Sequence, residues 1–150
     1  MYPNVFDPTV TATLKDRVQA LTPSTQPEWG KMNVAQMLAH CNVAYAQTWD
    51  LSGQPGWFAK KMLTWFVKPQ VVGPKPYPKN GRTAPAYLIT DERDFAKEQA
   101  ELLANLDRVQ REGEAGFDGR ESHSFGPLTK EEWSVLFYKH LDHHLRQFGV

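Results

Sequence analysis

The residues able to do chemistry crowd the C-terminal stretch: Trp133, Leu136, Phe137, His140, His143, His144, Gln147 and Phe148. Three of the five histidines fall within five consecutive positions. At about 100° per residue, His140 and His144 stand one turn apart on one helical face. Trp133, Leu136, Phe137 and Phe148 share that face, which directs the pair toward a core. Buried imidazoles need partners for their polar nitrogens. A metal ion suits two imidazoles at this spacing. Hydrogen bonds to tyrosine, glutamine or backbone groups would satisfy them too, and the spacing alone leaves both readings open.

A catalytic zinc site commonly takes three protein ligands. Two histidines lie outside the last helix: His40 in the second helical stretch and His123 in the loop before the last one. His40 sits at the edge of its apolar stripe, beside Met37 and Ala44, so periodicity does not decide whether it faces inward. His143 lies about 80° to one side of the core face and reads as a boundary residue. Other sites are excluded by absence of their motifs. The chain has no Glu-x-x-His, no His-Glu-x-x-His, no Gly-x-Ser-x-Gly elbow, no phosphate-binding glycine loop and no Cys-x-x-Cys. Cys41 follows His40 directly, and helical neighbours point about 100° apart, a poor geometry for a Cys–His nucleophile. Mid-stripe, Cys41 reads as a small core hydrophobe.

The elements that must position these residues are mostly helical. Asp7 caps a first helix with Pro8 at its first position, and Val10, Leu14, Val18 and Leu21 recur at spacings of three and four. Asn33 caps a second helix striped by Val34, Met37, Leu38, Cys41, Ala44, Tyr45 and Thr48, with Gly53 and Pro55 ending it. Trp57 to Val67 reads as a short amphipathic helix covering the end of the molecule. Five prolines between Pro69 and Pro85 predict a long extended or turned loop, of the kind that walls a site. Asp91 begins a fourth pattern, with Phe95, Leu102, Leu103, Leu106 and Val109 inward and an end near Gly113. Thr129 with Glu132 forms a capping box for the last helix, and Gly149 ends it. Four principal helices with one apolar stripe each predict an all-α four-helix bundle in one domain over residues 1–150, with a short extra helix and a long Pro-rich loop.

Bulk properties narrow the function classes. With 150 residues, 41% hydrophobic and 12% aromatic, the chain can bury a real core. Lys+Arg and Asp+Glu are 17 each, a balance that argues against a nucleic-acid binder. The charges are segregated. Leu51–Thr90 carries six bases (Lys60, Lys61, Lys68, Lys75, Lys79, Arg82) and no acid, whereas Asp91–Glu121 carries ten acids and five bases. Such a split fits two solvated surfaces, or a basic rim drawing an anion toward a pocket. The single cysteine precludes an internal disulfide and fits a reducing compartment. Met1–Val10 lacks the pattern of a secretory leader, so a cytoplasmic location is the expectation.

The stretch His140-Leu-Asp-His-His144-Leu-Arg-Gln147 resembles the last-helix motif of the DinB superfamily of four-helix-bundle metalloproteins. Trp29-Gly-Lys-Met32 through Gln36-Met-Leu-Ala-His40 resembles its second-helix ligand region. The ending Phe125-Gly-Pro-Leu-Thr129, Glu132-Trp133 and His-His-Leu-Arg-Gln-Phe-Gly149 is similar to a small branch known only as a domain of unknown function. The likeness spans most of the chain and is thin in the Pro-rich middle.

The resemblance implies three metal ligands, His40, His140 and His144, which turns His40 inward. It implies a divalent metal, zinc or nickel first and iron or copper as alternatives. It also implies thiol-dependent S-transferase-like or hydrolytic chemistry, with a low-molecular-weight thiol as co-reactant. Gln36, Tyr45 and Gln147 are candidates to orient the ligands, and Trp29, His123 and His143 to line a pocket. The partners expected are a small-molecule substrate and neither nucleic acid nor membrane, and a homodimer fits the spare aromatics. The alternative is a non-catalytic bundle that binds a small apolar ligand or a protein partner, through the aromatic Trp57–Phe66 segment in particular.

Overall fold

Asp7 opens the first helix as its sequence context predicts. Its carboxylate accepts the Thr9 amide at 2.8 Å, Pro8 occupies the first turn, and α1 runs over Pro8–Ala20. The computed structural model in which this is seen describes residues 2–81 and 83–150. Arg82, the last base of the basic run, lies outside the described residues. The second helix, α2 (Val34–Trp49), starts from a complete capping box: Asn33 accepts from the Gln36 amide, and the Gln36 side chain accepts from the Asn33 amide. It stops at Trp49, short of Gly53.

The Pro-rich middle is more ordered than the prolines suggest. After α3 (Trp57–Phe66), the chain re-enters a helix for one turn, α4 (Lys68–Val72), because Pro69 sits in the first turn, where its missing N–H costs nothing. A 3₁₀ turn over Pro85–Tyr87 follows the extended part. The long helix α5 (Phe95–Phe117) begins later than Asp91. Asp91 is engaged elsewhere, its carbonyl accepting from Gln36 Nε2 and its carboxylate pairing with Arg93. Asp94 therefore supplies the cap, accepting the Lys97 amide at 2.9 Å. Gly113 takes φ 65°, ψ −178° and kinks α5 rather than ending it, and the extra turn carries Phe117 into the core at 0% exposure. Two-residue strands β1 (Glu121–Ser122) and β2 (Gly126–Pro127) pair antiparallel, Ser122 opposite Gly126. The predicted Thr129–Glu132 capping box then starts α6 (Lys130–Gln147).

The protein is thus mainly α-helical. The helix α5 packs against α1, α2 and α6, and α6 also touches α1, α2 and α4. Between them lie Leu14 and Val18 of α1, Met37, Leu38 and Tyr45 of α2, Leu102 and Leu106 of α5, and Phe137, Leu141 and Leu145 of α6, all buried. Buried Asn42 ties α2 to α5 by donating to the carboxylate and carbonyl of buried Glu98 at 2.9 and 3.0 Å. Among the described residues, no helix is long and apolar enough to cross a membrane.

The helix α3 is turned inside out relative to its amphipathic pattern. Lys60 pairs with Glu121, the Thr64 hydroxyl donates to the Phe125 carbonyl, and Lys68 just beyond pairs with Glu132. These polar anchors fix its polar edge against the protein. Its aromatic face is left outward: Trp57 and Trp65 are each 73% exposed, Phe58 70% and Phe66 61%. The segment expected to cover the end of the molecule thus turns its aromatic residues outward.

Candidate metal centre

One histidine comes from α2 and two from α6. On α6, the four-residue step sets His140 and His144 on the same side, with ring centroids 4.9 Å apart. On α2, His40 is carried inward, and its ring lies 5.0 Å from that of His140 and 4.6 Å from that of His144. The three rings form a nearly equilateral triangle. One ring nitrogen of each lies within 4.8 Å of the others, and His40 Nε2 and His140 Nε2 are 3.0 Å apart. Adjacent nitrogens on a tetrahedral zinc stand about 3.3 Å apart, given Zn–N bonds near 2.0–2.1 Å. His40 and His144 are buried, and His140 keeps partial exposure.

Hydrogen bonds fix the tautomers of two of the rings. His40 Nδ1 lies 2.8 Å from the Tyr87 carbonyl, which can only accept, so Nδ1 carries the proton and Nε2 a lone pair. Gln147 Nε2 donates to the Trp29 carbonyl at 2.7 Å, which orients the amide. Its Oε1 therefore accepts from His144 Nδ1 at 2.8 Å, leaving the His144 Nε2 lone pair unprotonated. Two lone pairs thus face the triangle, and a single N–H, on His140 Nε2, is the most that the three rings could place between them. Convergent bare nitrogens with their other nitrogens anchored are the donor set that a cation completes.

The electrostatics keep the rings neutral. Burial depresses the pKa of His40, although the Tyr87 carbonyl pulls the other way. Burial, with the neighbouring His144, His40 and His143, holds His140 well below the ordinary imidazole range. Burial and His40 bring His144 down to about 3 against the Gln147 hydrogen bond. Neutral imidazole is the ligating form, so near pH 7 a cation enters without net loss of a proton, the His140 proton shifting from Nε2 to its other nitrogen.

The other predicted site residues divide. Gln147 holds His144, and Trp29 receives Gln147 through its carbonyl while its ring stands 6.0 Å from that of His143. His143 is half-buried beside the triangle, 5.1 Å from His144, with its pKa lowered by burial. Gln36 is spent on the α2 cap and on Asp91. Tyr45 stacks on Phe137 at 4.9 Å, and its buried hydroxyl has no hydrogen-bond partner among the described residues. His123 binds the Ser52 carbonyl and Ser124 in the hairpin region and does not join the triangle.

Sequence reasoning missed Tyr77, Tyr87 and Lys139. Tyr87 gives His40 its carbonyl and lays its ring 5.7 Å from His40, while its hydroxyl donates to Gln47 at 2.6 Å. Tyr77 stands edge-on to both His140 and His143. Lys139, 2% exposed, donates to the Gln70 and Gly73 carbonyls at 2.6 and 3.0 Å and so clasps the Pro-rich segment to α6. The only signal for the two tyrosines was their place in a loop long enough to wall a site.

The chain belongs to the family described as “Protein of unknown function (DUF1569)”, whose model matches residues 9–149. No curated protein and no solved structure matches it.

Proposed function

We propose that the protein is a metal-dependent enzyme of the DinB type: a four-helix bundle whose His40, His140 and His144 hold one divalent cation. The observation that carries this reading is the convergence of three neutral imidazoles from two helices, with the outer nitrogens of two of them hydrogen-bonded and the inner ones bare. Three neutral ligands leave a divalent cation its full charge, which lowers the pKa of a thiol or water reaching it. The chain's own part is to fix the rings, through Tyr87 and Gln147, and to keep them unprotonated by burial. No carboxylate belongs to the triangle among the described residues. Thiol-dependent S-transfer on a small electrophilic substrate is the reaction class this arrangement suits best, with metal-assisted hydrolysis next. Elemental analysis of protein purified without a chelating tag tests the first half, with one divalent cation per chain expected. The second half is tested by thiol consumption with an electrophile such as 1-chloro-2,4-dinitrobenzene. The expected activity depends on added zinc or nickel and is lost in His144→Ala. Thiol conjugation indifferent to both would refute it.

A second reading, an interaction protein working through α3, is favoured by its outward aromatic face. Four aromatic side chains exposed at 61–73% present roughly 500 Å² of apolar surface, near the upper end of what monomers leave open. A second copy of the chain is the occupant proposed. Lys60 and Lys68 are already paired with Glu121 and Glu132, so two like faces meet with less repulsion than the basic run implies.

A further inference from the structure

Beside the histidine triangle opens a cleft of about 410 Å³, a size that accommodates a small molecule. Its lining includes the aromatic residues Tyr2, Trp29 and Tyr77 and the prolines Pro74 and Pro76. Its polar lining is unbalanced toward positive charge: Lys79, Lys139 and Arg146 against Asp142 alone. Asp142 is moreover neutralised twice, by Arg17 at 2.8 Å and by Arg146 at 3.1 Å. Lys79 lies over the Trp29 ring, 4.1 Å from its centroid, and Lys139 spends its ammonium on two backbone carbonyls. Neither lysine has a carboxylate within ion-pair distance among the described residues. His143, Tyr2 and Tyr77 complete the polar lining and bring no carboxylate to it.

Two links join the cleft to the triangle. Tyr77 lines the cleft and meets His140 edge-on, with ring centroids 6.5 Å apart. Trp29, which also lines the cleft, holds Gln147 by its carbonyl, and Gln147 holds His144. A molecule in the cleft therefore touches one residue that meets His140 and one that is tied through Gln147 to His144.

We propose that this cleft binds small carboxylates carrying an aromatic or similarly flat apolar body, and that these are the substrate class presented to the histidine centre. The flat body packs between Trp29 and Tyr77, and the carboxylate is met by Lys79 and Arg146. Recognition rests on the cleft alone; only its link to chemistry rests on the metal reading.

Isothermal titration with 3-phenylpropionate and its neutral counterpart 3-phenylpropanamide tests the proposal. The acid is expected to bind about tenfold more tightly than the amide. Lys79→Gln and Arg146→Gln, both at exposed positions, are each expected to weaken the acid about fivefold and leave the amide unchanged. Equal binding of acid and amide overturns the proposal, as does binding of neither. So does acid binding that both substitutions leave intact, which would put the anion elsewhere. Titrations on chelator-treated protein, repeated after zinc is added, separate the two readings. Acid preference without any zinc uptake keeps the cleft and removes the metal centre; zinc uptake without acid preference does the reverse.

Discussion

His40 Nε2 and His140 Nε2 lie 3.0 Å apart across an interval of 100 residues, brought together by α2 and α6. Two of the three rings are anchored through their outer nitrogens. His40 is turned by the Tyr87 carbonyl from the 3₁₀ turn, and the companion His144 is turned by Gln147. Groups that touch no cation thus decide whether the triangle exists.

The first prediction follows from that dependence. Gln147→Ala is expected to weaken zinc binding about 10- to 100-fold while the helical circular dichroism stays unchanged. Gly30→Ala should act the same way from a distance. Gly30 has φ +87°, and a Cβ there would collide with Gln147 Nε2. Competition against a chromophoric chelator reads both; unaltered affinity in both variants would show that the Gln147 link does not hold the centre.

A second prediction concerns acid and the metal-free protein. In the fold, His40, His140 and His144 have pKa values below the unfolded imidazole value of about 6.5. Between the two values the unfolded chain binds more protons, so stability falls as pH falls below about 6.5. For His144 the loss continues until its folded pKa, about 3, is reached. Each ring that is still neutral in the fold contributes about 1 kcal/mol of loss per pH unit. Urea titrations of chelator-treated protein at pH 7.5, 6.5 and 5.5 should show a shallow fall over the upper interval and one about three times steeper over the lower. A flat lower interval would mean the rings are not shielded.

Cys41 supplies a third. It is fully buried next to Met37, and burial pushes its thiol up. Ellman's reagent should leave it untouched in native protein and titrate one thiol per chain in denaturant. Rapid native labelling would reopen a cysteine nucleophile beside His40.

For the aromatic face of α3, sedimentation velocity should give a dimer that Trp65→Glu or Phe58→Glu converts to a monomer with unchanged circular dichroism. A wild-type monomer at 100 µM would contradict a self-association role. Co-sedimentation with anionic vesicles under the same conditions would assign the face to lipid instead.

The helices were legible where local chemistry decides them. Asp7, Asn33 and the Thr129–Glu132 pair start α1, α2 and α6 as their side chains dictate. The His140–His144 pair was legible too, because a four-residue step fixes it. The side of α2 that His40 takes was not, since the deciding carbonyl belongs to Tyr87, 47 residues away in a segment with no periodicity. The orientation of α3 was misread for a related reason. Its pattern says apolar inward, but Glu121, Glu132 and the Phe125 carbonyl lie where they can capture Lys60, Lys68 and Thr64. Gln36 read as a ligand support, and its part in the capping box with Asn33 was not foreseen.

X-ray absorption at the zinc edge, on tag-free protein loaded with one equivalent, bears most directly on the three-imidazole centre. Three imidazole nitrogens at about 2.0–2.1 Å are expected, falling to two in His40→Ala. A spectrum without imidazole scattering, or one that His40→Ala leaves unchanged, would contradict it.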